Sequence, residues 1–237
     1  VTQGLRGADL VLAPSRAMLA ALERHYGPLS RAAAIYNGVD PAPFAGGTKE
    51  AFILSAGRLW DDAKNLRALD AVAPRLDWPV YVAGDVTLGT SQVPAGPEIT
   101  PGNVLCLGRL GRYHLARWYA RAPIFCLPAR YEPFGLTALE AGLAGCALVL
   151  GDIDTLREIW GDAAIHVPPD DHDALAAEVN ALVADRAARE AWGRRARQKA
   201  LEYTPERMAA GYLDAYHRLV ERGPRVRDAV PTRAIPG

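Results

Sequence analysis

The stretch "PIFCLPARYEPFGLTALEAGLAGCALVLGDI", residues 123–153, opens and closes with short apolar runs. Between them a Pro-Phe-Gly turn leads into a helical pattern rich in Leu and Ala. Two strands joined through a helix pair in parallel, because a parallel pair needs a crossover of a dozen or so residues to bring the chain back to the same end of the sheet. Parallel strands are covered on both faces and so read as continuous apolar runs. This unit predicts a doubly wound α/β sheet.

The same alternation continues on both sides. Upstream, "AFILSAGRL" (51–59) and "PVYVAGD" (79–85) are strands, and "NLRALDAVAPRL" (65–76) has Leu66, Leu69, Val72 and Leu76 at helical spacing. "GTSQVPAGPEITPGN" (89–103) is a polar loop before the strand "VLCLGRL", and "YHLARWYARA" (113–122) is a helix. Downstream come a short helix "DTLREIWG", a strand "AAIHVPP" and two long helices. At the start, "ADLVLAPS" (8–15) is a strand whose Ser15 caps a helix ending at Gly27. "AAAIYNGVD" (32–40) is a strand running into an Asn-Gly turn, and the Pro- and Gly-rich segment 41–50 is the best linker candidate. Near the end, "TPERMAAGYLDAYHRLV" has Thr204 as cap, Pro205 in the first turn, and Met208, Tyr212, Tyr216 and Leu219 as an apolar stripe.

Composition narrows the function. Of 237 residues, half are hydrophobic, enough for one large or two modest domains. The 27 basic side chains balance 27 acidic ones, so no basic excess points to nucleic acid. The cluster "WGRRARQK" (192–199) reads as a solvated helix face. No apolar run approaches the ~20 residues of a membrane span. Cys106, Cys126 and Cys146 form no CxxC pair and read as buried thiols of a reducing, cytoplasmic compartment.

In a doubly wound sheet, ligands sit beyond the carboxyl ends of the strands. There, Gly57, Arg58 and Lys64 flank a helix start, an arrangement suited to a diphosphate. The competing reading is a surface ion pair of Lys64 with Asp61 or Asp62. After the strand 124–127, Glu132 precedes a turn whose Phe134, Gly135 and Leu136 N–H groups sit at a helix N-terminus, and Glu140 lies in the second turn. Two carboxylates roughly 10 Å apart match a ribose at one end and a sugar at the other end of a diphosphate. The competing reading is a helix acid and a loop acid with no ligand.

With these residues in place, "EPFGLTALE" resembles the E-x7-E motif of the retaining family-4 glycosyltransferases (glycosyl transferases group 1), which have a two-domain B-type fold. "GRLWDDAKN" resembles their phosphate-binding segment, with four residues before the Lys where many members have three. "ADLVLAPSRAMLAAL" with "IYNGVD" resembles their domain crossing. The resemblance implies glycosyl transfer, hexosyl or related, with retention, from a UDP-, GDP- or ADP-linked sugar to an unidentified acceptor, without a cofactor. It implies that Arg58 and Lys64 neutralise the diphosphate, Glu132 binds the sugar, and the Phe134–Gly135–Leu136 backbone touches sugar and phosphate. Glu140 would hold the ribose. The loop 108–114, with Arg109, Gly111, Arg112 and His114, would contact the base. It further implies that 1–45 is a remnant of an N-terminal acceptor domain with its linker, 46–204 the Rossmann-like nucleotide-sugar domain, and 205–237 a crossover helix and tail. The chain would then be a donor-binding half, inactive by itself. "GDIDT" (151–155) carries a DxD pattern of the metal-dependent A-type enzymes; Asp152 and Asp154 read instead as loop and capping residues, and no metal site is expected. The alternatives are a nucleotide-sugar 2-epimerase-like enzyme and a stand-alone nucleotide-binding module.

Overall fold

The computed structural model describes residues 1–44, 46–58, 60–85 and 102–222. A short helix α1 (Thr2–Gly7) precedes a two-stranded parallel sheet of β1 (Val11–Ala13) and β2 (Ala32–Ala34), joined through α2 (Arg16–Tyr26). The Ser15 hydroxyl accepts from the Met18 N–H at 3.1 Å and Gly27 ends the helix, as the sequence predicts.

The main sheet has six parallel strands: β3 (Ile53–Ala56), β4 (Val80–Ala83), β5 (Leu105–Gly108), β6 (Ile124–Leu127), β7 (Ala147–Gly151) and β8 (Ile165–Val167). Their spatial order is β5-β4-β3-β6-β7-β8. The order reverses between β3 and β6, the place where such sheets open a crevice. Helices α3 (Leu66–Val72), α4 (Arg112–Arg121), α5 (Leu136–Leu143), α6 (Asp154–Trp160), α7 (His172–Ala184), α8 (Arg186–Ala200) and α9 (Pro205–Arg222) complete the fold.

Alternate residues of each central strand feed two cores. Leu54, Phe125, Leu127, Leu148 and Leu150 pack with α4, α5 and α8 on one face. Ile53, Ile124, Cys126 and Val149 pack with α3 and α7 on the other. Each fully buried Leu, Ile or Phe contributes about 1.5–3 kcal/mol. This two-sided burial is why the strands lack polar alternation.

Four expectations need correction. The α-helix of 65–76 stops at Val72, because Pro74 lacks an N–H, and a 3-10 turn takes over; Leu76 lies beyond both. Cys106 is exposed, since β5 is an edge strand; only Cys126 and Cys146 are buried. On α9 the inward side is Met208, Tyr212, Ala215 and Leu219, while Tyr216 is exposed. The Pro- and Gly-rich segment is tied down: Phe44 is buried, and the Lys49 ammonium donates to the carbonyls of Ala122 and Ala144, each at 2.8 Å. Most of the predicted loop 89–103 lies outside the described residues. No described helix is long and apolar enough to cross a membrane.

Candidate active site

The site grows from the loop after β3. Asp61 organises it, accepting from the Ala63 N–H at 3.0 Å and from Arg58 at 3.1 Å. A 3-10 turn, Asp62–Lys64, follows. Asn65 then takes the left-handed conformation (φ 58°), a position Asn tolerates better than most residues. Its amide group donates to Pro128 O at 2.9 Å and Pro169 O at 2.7 Å. Ala63 O in turn accepts from the Arg130 N–H at 2.9 Å. The loops after β3, β6 and β8 are thereby stitched together.

This scaffold buries Lys64 to 8 % exposure, with Nζ 2.6 Å from Glu132 Oε2. The other carboxylate oxygen, Oε1, accepts from Gly135 N–H at 2.9 Å and Phe134 N–H at 3.3 Å. Glu132 thus satisfies two donors at the start of α5, where a negative charge is favoured. Thr155 Oγ1 donates to the Glu132 carbonyl at 2.5 Å, fixing the loop from α6. Gly135 is left-handed (φ +95°), and a Cβ there would sit 3.2 Å from Leu156.

The surface-pair reading fails for Lys64, which pairs with Glu132; the cation paired with Asp61 is Arg58, two-thirds exposed. The turn N–H groups also differ from expectation. Those of Phe134 and Gly135 are taken by Glu132, because a buried carboxylate needs every donor within reach. The Phe134 ring is buried against Tyr36 and Tyr203, and the Leu136 side chain is exposed.

A second layer holds this loop from α2. Ser15 Oγ donates to Pro133 O at 2.9 Å. Glu158 of α6 accepts from the N–H groups of Arg16 and Ala17 at 2.9 and 2.6 Å, and from the Tyr36 hydroxyl at 2.7 Å. Sequence spacing identified Ser15 as a helix cap but carried no signal for its contact 118 residues away. Thr155 and Asn65 were missed for the same reason.

Glu140 is half-buried on α5. Burial raises its carboxyl above the usual range, partly offset by Tyr119 and the charge of Arg112. The fully buried Tyr119 hydroxyl couples to Glu140 without an ordinary hydrogen bond; burial, then this carboxylate, pushes the phenol well up. Arg109, Gly111, Arg112 and His114 are all exposed around the start of α4. Tyr113 is also exposed, so it begins the helix without packing. Gly57 sits at the end of β3, its N–H donating to Ala83 O at 3.0 Å.

The DxD pattern is resolved differently from the capping reading. Ile153 is the N-cap of α6, with no side-chain cap. Asp152 forms a two-pronged pair with Arg157, which holds its carboxyl below the usual range. Asp154 lies 3.9 Å from Arg24.

Comparison with known proteins follows the same lines. The family model described as "Glycosyl transferases group 1" matches residues 41–199. A glycogen synthase of Mycobacterium tuberculosis is 32 % identical over 252 aligned positions, covering 98 % of this chain and 60 % of that protein. A phosphatidyl-myo-inositol mannosyltransferase of Mycolicibacterium smegmatis is 29 % identical over 213, covering 84 % of this chain and 55 % of that protein. The chain therefore spans little more than half the length of these curated relatives. Among solved structures, a sucrose-phosphate synthase from Thermosynechococcus elongatus superposes with a TM-score of 0.80 at 22 % identity, covering 94 % of this chain and 61 % of that one. Anabaena HepE in complex with UDP-glucose gives 0.79 at 20 %, with 92 % and 66 % covered.

Proposed function

The chain belongs to the group 1 glycosyl transferases, and we propose that it forms the donor-binding half of an enzyme that moves a sugar, with retention, from a nucleotide-sugar to a glycosyl acceptor. The observation that carries this reading is the buried Lys64–Glu132 pair at the β3/β6 reversal, over the start of α5. A donor diphosphate takes Lys64, with Arg58 beside it, and the released Glu132 carboxylate turns to hydroxyls of the sugar. As the anomeric C–O bond breaks, its electron pair leaves on the diphosphate. Lys64, Arg58 and the N–H groups that Glu132 gives up at the helix N-terminus stabilise that charge. Glu140 accepts from the ribose hydroxyls. Gly57 and the Phe134–Leu136 backbone lie along the phosphates and sugar, and the segment with Arg109, Gly111, Arg112 and His114 meets the base.

Two cations supply the positive charge, so the reading includes nucleotide binding that EDTA leaves intact. Acceptor recognition belongs to a partner domain, and the chain alone binds donor without transferring it. Free thiols fit a reducing, cytoplasmic setting.

Thermal shift with UDP-, GDP- and ADP-sugars tests the reading. A matching donor at a hundredfold excess over its Kd stabilises by ~2.7 kcal/mol. Calorimetry then separates the roles: Glu132→Gln should weaken the matching nucleotide-sugar but leave the free diphosphate bound. If no nucleotide shifts the melting temperature, the donor-site assignment falls.

A further inference from the structure

At the opposite end of the main sheet, the segments that lead into β3, β4, β6 and β7 form the floor of a cleft of about 720 Å³. One strand length, about 13–17 Å, separates it from the β3/β6 site. Helix α8 forms its wall. Gly193 brings that helix close: a Cβ there would lie 2.4 Å from Gly145 O.

The lining is unbalanced in charge. Lys49, Arg186, Arg189, Arg194 and Arg197 face it, against only Glu50 and Glu190, a net of three positive charges. Both carboxylates are already engaged. Glu50 makes a two-pronged pair with Arg121 at 2.6 and 2.7 Å, and Glu190 pairs with Arg186 at 2.7 Å.

Three of the cations have a structural task. The Lys49 ammonium spends its three N–H groups on Tyr119 O, Ala122 O and Ala144 O, Arg197 reaches Leu143 O, and Arg189 reaches Leu182 O and Val183 O. These carbonyls end α4, α5 and α7, so the side chains act as helix caps. A helix C-terminus carries only about half a negative charge, which leaves much of the positive charge uncompensated. Burial chiefly lowers the Lys49 pKa, and the charge of Arg197 adds to it. The Arg194 side chain is exposed and makes no hydrogen bond among the described residues, though its charge acts on Glu190 one turn away. Trp78 adds an aromatic surface under Arg189, whose guanidinium lies 4.7 Å from its ring.

We propose that this cleft is a second ligand site, binding a small phosphate ester with its phosphate between Arg194 and Arg197 and its organic body along Trp78 and the arginine stems. The cluster "WGRRARQK" is then a recognition surface rather than a merely solvated face.

Calorimetry on the full chain tests this with phenyl phosphate and inorganic phosphate as probes. Phenyl phosphate should bind, and more tightly than inorganic phosphate. Arg194→Glu should weaken it about tenfold, ~1.4 kcal/mol, and Arg194→Ala should weaken it less. Arg117→Glu, an exposed charge reversal on α4 outside both sites, should leave it unchanged, and saturating nucleoside diphosphate should not displace the probe. Arg194→Ala should melt with the wild type, because its side chain holds no structural bond; Arg194→Glu, one turn from Glu190, should melt only slightly lower, by the small cost of a like-charge i,i+4 pair. The proposal is overturned if the wild type does not bind phenyl phosphate, if both Arg194 variants bind normally, or if saturating nucleoside diphosphate displaces the probe. Equal affinity for the two probes removes the role given to Trp78.

Discussion

Two loops leave the same edge of the main sheet and are built in opposite ways. The loop after β6 is bonded to α2, α6 and the turn after β3, through Ser15, Thr155 and Ala63. The segment after β5 carries Arg109, Gly111, Arg112 and His114 into solvent. The difference follows from what each must hold. A buried ammonium and carboxylate survive only with fixed partners on every side, whereas exposed cations need none. Under the proposed function, the sugar-phosphate end exchanges one ion pair on a fixed loop, and the base end meets its ligand from solvent.

The hardest blow to this contrast comes from Lys64. Lys64→Met leaves Glu132 buried without its cation and should cost about 3–5 kcal/mol in urea unfolding. A loss below about 1 kcal/mol, the range of exposed pairs, would mean that the pair is open to water. Next is Glu140→Gln, which should weaken nucleoside diphosphate binding about tenfold, ~1.4 kcal/mol. The same variant carries a pH signature. The folded-state carboxyl is raised, so the native chain keeps this proton to higher pH than the unfolded chain does. Its contribution to stability is present below the ordinary carboxyl value and is lost as pH rises through the raised one. Nucleotide binding, which uses the carboxylate, should strengthen over the same window. Glu140→Gln should flatten both profiles; persistence of either slope would assign it to another group.

A smaller effect is expected at Ser15. Ser15→Ala removes a helix cap and the bond to Pro133, about 1–2 kcal/mol, and should weaken nucleotide-sugar binding more than it weakens binding of a bare nucleotide. Equal losses for both would limit Ser15 to stability. The smallest effect is on the other loop: Arg109→Ala should stay within about 0.5 kcal/mol of wild-type stability. A larger loss would mean that this segment is anchored after all.

The sheet was legible because strand and helix periods differ and both faces of the sheet are covered. The strand ends then pointed to Lys64, Glu132 and Glu140. What the sequence could not supply was pairing over distance. Lys64 had Asp61 and Asp62 close by in sequence and took Glu132, 68 positions away, because the reversal of strand order sets β3 beside β6. Asp152 likewise found Arg157 rather than the start of α6. Exposure of Cys106 depended on strand order too, since nothing in "VLCLG" marks an edge. The division proposed at 45 and 204 is bridged by contacts: Ser15 with Pro133 across the first boundary, and Gly38 N–H with Met208 Sδ (3.3 Å) between the first and last segments.

The edge position of β5 also makes the protein chemically addressable. Of its three thiols, only Cys106 meets solvent; burial pushes Cys126 well up and Cys146 up to about 11. Thiolate is the form that attacks a maleimide, so access and ionisation select the same atom. Burial and Asp70 also raise the Cys106 thiol somewhat, which calls for mildly alkaline coupling. A single dye then sits on the strand that leads into Arg109–His114, where its emission reports the base-side loop directly, without mutating any other cysteine.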